Sequence, residues 1–196
     1  ATSSVVVTVS QTASSVTVSP ASTSVAAGGT AQFSASGTDQ FGAALASPPA
    51  WSWTVSGGGG IGAGGLFTAG TTPGGPFLVT VTGGGVSGTA SVTVVNQAPT
   101  VASAASATPS PVTGTTATLS VLGADDGGEP ALNYTWTAVP ATVSFSPNGS
   151  NGAKGAVASF GAAGSYTLTA TIADAQGLTA TSSVVVTVSQ TASSVT

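Results

Sequence analysis

Residues 166–172 read Tyr-Thr-Leu-Thr-Ala-Thr-Ile. Tyr166, Leu168, Ala170 and Ile172 fall on one face of this run, and Thr167, Thr169 and Thr171 fall on the other. A two-residue alternation of apolar and small polar side chains is the pattern of a half-buried strand. Similar alternation, or a high density of β-branched residues, recurs at 5–9, 30–36, 51–55, 77–82 and 88–95. It returns at 116–122, 132–138 and 178–188. Gly, Pro and Asn clusters separate the runs and break strands. No segment carries an apolar stripe with a 3.6-residue period. The chain reads as all-β with no substantial helix.

The second half orders into seven strands: A at 100–107, B at 116–122, C at 132–138, D at 142–146, E at 155–160, F at 165–172 and G at 178–188. Seven strands of this spacing predict an immunoglobulin-like antiparallel sandwich. Trp136 falls on strand C, where such folds bury a tryptophan. Tyr166 opens strand F just after Ala162 and Gly164, the place of a tyrosine corner. Leu119 and Leu168 stand where antibody domains carry their inter-sheet cysteines. The first half follows the same plan, with Phe33 on B, Trp51 and Trp53 on one face of C, and Phe77, Val79 and Val81 on F. Trp53 and Trp136 are expected to be buried, with Phe33, Phe77, Leu119, Tyr166 and Leu168 in the two cores.

An internal repeat sets the boundaries. Residues 1–17 read ATSSVVVTVSQTASSVT, and the same seventeen letters return from residue 180 to residue 196, a period of 179. The chain therefore reads as a window onto a longer tandem array, with the preceding domain on the same polypeptide; the alternative is a donor-strand polymer, in which separate subunits insert one strand into the next. Residues 1–10 are expected to be the terminal strand of a preceding repeat, with few contacts to their own chain. Residues 15–95 form one sandwich, 99–189 the other, and 190–196 begin the next repeat. Short polar breaks at 11–15 and 96–99 separate the parts.

Composition excludes much chemistry. Of 196 residues, 3% are charged, against about 25% in ordinary soluble domains. There is one Lys or Arg, and no His, Cys or Met. A zinc site of the usual kind, a Ser-His-Asp triad and thiol chemistry all lack their residues. One cation and a net charge of −4 leave no footprint for nucleic acid or an anionic membrane surface. Mean hydropathy is +0.44, yet every apolar run is interrupted within a few positions, so no membrane insertion is expected. Residues 1–10 have no secretory-signal pattern.

Residues 16–95 resemble bacterial immunoglobulin-like (Big) domains, through VTVSPASTSVAAGGTAQFSASGTDQFG, WSWTV, GLFTAG and VTVTGGGVSGTASVTV. Residues 99–189 resemble PKD-like and cadherin-like bacterial modules, through NQAPTV, GADDGGEPALNYTWT and GSYTLTATIADAQGLTATSSVVVTV. The resemblance implies sandwich folds, tandem arrangement in large secreted or surface proteins of bacteria, and an extracellular setting. Such modules are mostly spacers. This chain departs from them in its near absence of charge.

Few residues are left to carry chemistry. Asp125, Asp126 and Glu129 lie in the B–C loop and Asp174 in the F–G turn, so an immunoglobulin-like plan gathers them at one pole. Calcium takes six to eight oxygens, and such loops rigidify cadherin-like modules, so these four acids are the candidate calcium ligands. Turn Asp residues also bond their own backbone, and Lys154, in the D–E loop, is placed to neutralise the cluster instead. Gly57, Gly58, Gly59 and Gly60 read as a flexible or tightly curved loop. Asn133 and Asn148 open glycosylation sequons on which no N-glycan is expected.

The function expected is that of a structural rod segment in a tandem-repeat bacterial fibre, stalk or giant adhesin. It has no catalytic residues and no required cofactor apart from possible calcium. Its partners are neighbouring repeats or copies of itself, along the fibre and laterally. The alternative is a module that binds a polysaccharide or another partner.

Overall fold

A computed structural model describes residues 2–190. The chain divides into two compact units, Ala1–Asn96 and Gln97–Thr196. Both are built mainly from antiparallel strands, and among the described residues the helical ones are confined to two short 3₁₀ turns.

In the first unit the strands are β1 (Ala13–Ser19), β2 (Ser22–Ala26), β3 (Thr30–Gln32), β4 (Ser34–Asp39) and β5 (Ser52–Val55). Then come β6 (Gly59–Ile61), β7 (Leu66–Ala69), β8 (Gly74–Gly83) and β9 (Val86–Val95). One sheet has the order β2-β9-β8-β5, with β2 parallel to β9. A second has the order β3-β7-β6, and β1 pairs with β4. Alternation drives the packing: Val79 and Val81 of β8, with Val92 and Val94 of β9, are buried together with Phe33 and Phe67. The β8–β9 hairpin closes through Gly84 and Gly85, at φ of 59° and 81°. Two consecutive positive φ values mark the turn whose twist matches a right-handed hairpin, and glycine meets that demand without strain.

Residues 5–9 lie in no strand and pair with none of the described residues. Two expectations for this unit need correction. Trp53 and Phe77 pack against the core but are only half-buried. Glycines lie against both rings. A Cβ on Gly65 would meet Trp53 at 3.2 Å, and one on Gly58 would run into the Phe77 ring. Within the glycine run at 57–60, Gly57 and Gly58 thus pack against Phe77, while Gly60, in β6, has open space around it.

The second unit contains β10 (Thr100–Thr108), β11 (Thr116–Ala124), β12 (Asn133–Val139), β13 (Val143–Ser146), β14 (Gly155–Phe160), β15 (Gly164–Ala173) and β16 (Thr179–Val188). Its sheets run β10-β11-β14-β13 and β12-β15-β16. This is the A-B-E-D and C-F-G arrangement of a seven-stranded immunoglobulin-like sandwich. Trp136, Leu119, Leu168 and Tyr166 lie in one core with Tyr134, Leu132 and Ile172. Trp136 donates its indole N–H to the Ala153 carbonyl at 2.8 Å, so the buried ring leaves no polar atom unsatisfied. The Tyr166 hydroxyl donates to the Ala162 carbonyl at 2.9 Å, which is the tyrosine corner. Leu119 and Leu168 are fully buried where a disulfide would otherwise stand. Each contributes about 1.5–3 kcal/mol by burial.

The outer edge of β12 is covered by a side chain instead of a strand. Asn148 accepts the Trp136 N–H at 2.7 Å through Oδ1 and donates through Nδ2 to the Trp136 carbonyl at 3.1 Å. Its amide thus reproduces the two bonds of a ladder partner, and on the same edge Tyr134 donates its N–H to the Ser150 carbonyl at 3.2 Å and accepts the Gly149 N–H at 3.0 Å.

Candidate functional site

The B–C loop leaves β11 at Ala124 and turns at once. Asp125 Oδ2 accepts the Gly127 N–H at 3.0 Å, and the Asp125 carbonyl accepts the Gly128 N–H at 3.1 Å. The 3₁₀ turn Glu129–Ala131 then delivers the Glu129 carboxylate to Lys154, whose Nζ lies 3.0 and 2.9 Å from its two oxygens. Asn151 Nδ2 donates to Glu129 Oε1 at 3.1 Å, and the Tyr134 hydroxyl donates to the same oxygen at 3.1 Å. Lys154 also donates to Asn151 Oδ1. The one cation of the chain and its only glutamate are thus paired. The hydrogen bond from Lys154 lowers the Glu129 carboxyl below its ordinary value. Partial burial opposes this, and Asn151 and Tyr134 add to it. Burial pushes the Tyr134 hydroxyl up; the Gly123 N–H opposes this and the Glu129 charge reinforces it.

Asp174 is 7% exposed and serves its own turn: Oδ1 accepts the N–H groups of Gln176 and Leu178 at 2.9 and 2.8 Å. The four expected calcium ligands therefore do not come together. Glu129 is held by Lys154 and Asp174 by its turn, and the described residues contain no group of three or more His, Cys, Asp or Glu able to hold a metal ion. Asp126 Oδ2 accepts the Gln97 N–H at 3.2 Å. Asp125 Oδ1 and Asp126 Oδ1 are buried without a hydrogen-bond partner among the described residues.

Sequence reasoning gave no role to Asp39, which is 4% exposed at the end of β4. Its Oδ1 accepts the Phe41 and Ala43 N–H groups, each at 2.9 Å, and its Oδ2 accepts Gln11 Nε2 at 2.8 Å. Burial raises the Asp39 carboxyl, but the bonds from Gln11, Phe41 and Ala43 outweigh it and hold the group below its ordinary value. Gln11 also accepts the Ala46 N–H through Oε1 at 3.0 Å. Gln40 completes the clamp: its Oε1 accepts the Thr12 N–H at 2.9 Å, and its Nε2 donates to the Ser10 carbonyl at 2.9 Å. Residues 10–12 are thus tied to the turn after β4. Just before them, Val5, Val6, Val7 and Val9 are 85%, 90%, 74% and 65% exposed. The available signal was that Gln11 belongs to the duplicated stretch.

Three surface hollows are lined mainly by Ala, Gly, Ser and Thr, and none by a carboxylate. Phe41 is the one aromatic side chain in the exposed class.

Two seven-to-nine-stranded sandwiches, the second with a tyrosine corner and A-B-E-D/C-F-G sheets, place the chain in the immunoglobulin-like class. Residues 110–188 match the family model described as the K319L-like PKD domain, so this part of the second unit is similar to that domain. No curated protein matches the chain. Among solved structures it is similar to the S-layer protein rSbsC(31-844), at 24% identity and a TM-score of 0.41, covering 91% of this chain and 28% of that one. Domains 4 and 5 of SbsC are 22% identical, with a TM-score of 0.38 and coverage of 90% and 98%. The Yersinia pseudotuberculosis adhesin InvE is 16% identical, with a TM-score of 0.34 and coverage of 87% and 58%. The chain thus spans about a quarter of the S-layer chain and somewhat over half of the adhesin chain.

Proposed function

We propose that this chain is a structural rod segment of a tandem-repeat bacterial extracellular fibre, stalk or adhesin, and that it performs no catalysis. The observation that carries this reading is the duplicated stretch. The same residues form a paired core strand at Thr179–Val188 and an exposed segment at 2–10. A sequence that is a core strand in one place and bare in the other belongs to a periodic array. The low charge supports close lateral packing of such rods, because little like-charge repulsion opposes it. That Phe41 alone of the aromatic side chains is exposed supports a spacer over a glycan-binding platform. Imaging of the native assembly tests the reading: fibres with an axial repeat equal to the length of one 179-residue period support it. Isolated particles without axial order would end it.

A second reading concerns cations. The buried, unpartnered Oδ1 atoms of Asp125 and Asp126 favour a Ca²⁺ ion or ordered water in the B–C loop, with loop carbonyls completing the shell. This is narrower than a site that includes Glu129 and Asp174. Chelation should then lower the melting temperature of the second unit, and Asp125→Asn with Asp126→Asn should remove the difference. Equal melting with added Ca²⁺ and with chelator would leave water as the occupant.

A further inference from the structure

We infer that residues 2–10 are the closing strand of a second copy of the PKD-like sandwich, and that residues 10–12 clamp that copy stiffly to the first unit. The inference rests on the tandem-array reading and names the surface by which one repeat meets the next. In the second unit β16 pairs with β15 in the register Val184 with Leu168, Val186 with Tyr166 and Val188 with Gly164. Val186 is fully buried, Val188 is 6% exposed, and Val185 points outward at 61%. The duplication carries those places onto Val5, Val7, Val9 and Val6 respectively. Val5, Val7 and Val9 are core residues without a core. Their own chain offers them no place on β15, which is already paired with β12 on one edge and β16 on the other. An unpaired apolar strand exposes both side chains and backbone groups that a matching sheet edge satisfies.

The backbone bonds at the join are compatible. In the second unit, Val112 donates its N–H to the Thr187 carbonyl and accepts the Ser189 N–H, both at 2.8 Å. The counterparts are Thr8 and Ser10. Ser10 would give its N–H to the preceding sandwich, while its carbonyl already accepts Gln40 of the first unit. The next residues, Gln11 and Thr12, are held by Asp39, Ala46 and Gln40. No residue is left over as a free linker, so the joint between repeats is stiff.

The test is an extended chain in which a copy of residues 97–179 is fused directly ahead of Ala1 of the full sequence. In the unextended chain Val7→Asp should leave calorimetric unfolding unchanged, whereas Val186→Asp should abolish the transition of the second unit. In the extended chain Val7→Asp should remove about half of the PKD-like unfolding enthalpy, as Val186→Asp does. Val7→Thr and Val186→Thr, which are gentler, should lower the melting of one copy each by equal amounts. A Val7 variant that is silent in the extended chain would overturn the strand assignment. Gln11→Ala should broaden spin-label distances between the added copy and the first unit; an unchanged distribution would overturn the stiff joint. These outcomes do not depend on whether the native protein forms fibres, which imaging decides separately.

Discussion

Tyr134→Phe deletes one oxygen from a fully buried side chain and isolates a single consequence. The hydroxyl accepts the Gly123 N–H at 3.0 Å and donates to Glu129 at 3.1 Å. Phenylalanine fills the same space, so no cavity forms. The Gly123 N–H is left facing an apolar ring, and a side chain on Gly123 cannot close over it, because a Cβ there would already meet Leu132 and Ile172 at 2.7 and 2.8 Å. A buried donor without a partner costs about 1–3 kcal/mol. Glu129 keeps Lys154 and Asn151, so its share of the loss is small. For a domain near 100 residues the expected fall in melting temperature of the second unit is roughly 5–20 °C. Differential scanning calorimetry reads this directly, with the transition of the first unit as internal control. Adding Glu129→Gln in both backgrounds measures the coupling between the two groups. A second-unit melting temperature within about 1 °C of the parent would refute the reasoning, since it would mean that the Gly123 N–H finds another partner at no cost.

Acid should weaken the second unit through Glu129. Its carboxyl is depressed in the folded state, so its contribution is complete above the ordinary glutamate value of about 4.3 and is lost as pH falls through the lower folded value. Lys154→Ala should move the carboxyl back up and narrow that window, as read by NMR titration of the single glutamate; an unmoved carboxyl would contradict the pairing. Leu168→Ala should destabilise the second unit by about 2–5 kcal/mol and leave the first untouched, because no disulfide shares the load. This is measurable by denaturant unfolding. Within the glycine run, Gly58→Ala should cost the first unit at least ~1 kcal/mol, since the residue has a positive φ of 74° and a Cβ would run into Phe77. Gly60→Ala, with open space around it, should be tolerated. Equal stability of these two variants would show that Phe77 does not need the bare surface.

The strand plan of the second unit was legible because a strand with one buried face writes its environment into alternate residues. Tyr166, Leu168, Ala170 and Ile172 face the core, and the threonines between them do not. The first unit was less legible. The short strands Ser22–Ala26, Gly59–Ile61 and Leu66–Ala69 have too few residues for a period to show, and they owe their pairing to β9, to each other and to β3. The half-burial of Trp53 and Phe77 likewise depends on what each ring packs against, which composition does not state.

Sequence by itself determined the all-β class, the seven-strand order of the second unit, the duplication of seventeen residues at an offset of 179 and the exclusion of His, Cys and basic-patch chemistry. These depend on residue identity and on the two-residue period, both of which are local. Tertiary structure decided what the few charged groups do. Glu129 and Lys154 are 25 positions apart, and Gln11 and Asp39 are 28 apart. Whether such groups meet each other or a metal depends on loop geometry a few ångströms in scale. It also separated the two copies of one stretch. Identical side chains lie in a core strand at 180–188 and in an exposed segment outside any strand at 2–9, because burial is conferred by the partner a strand finds, and its own sequence carries only the capacity for it.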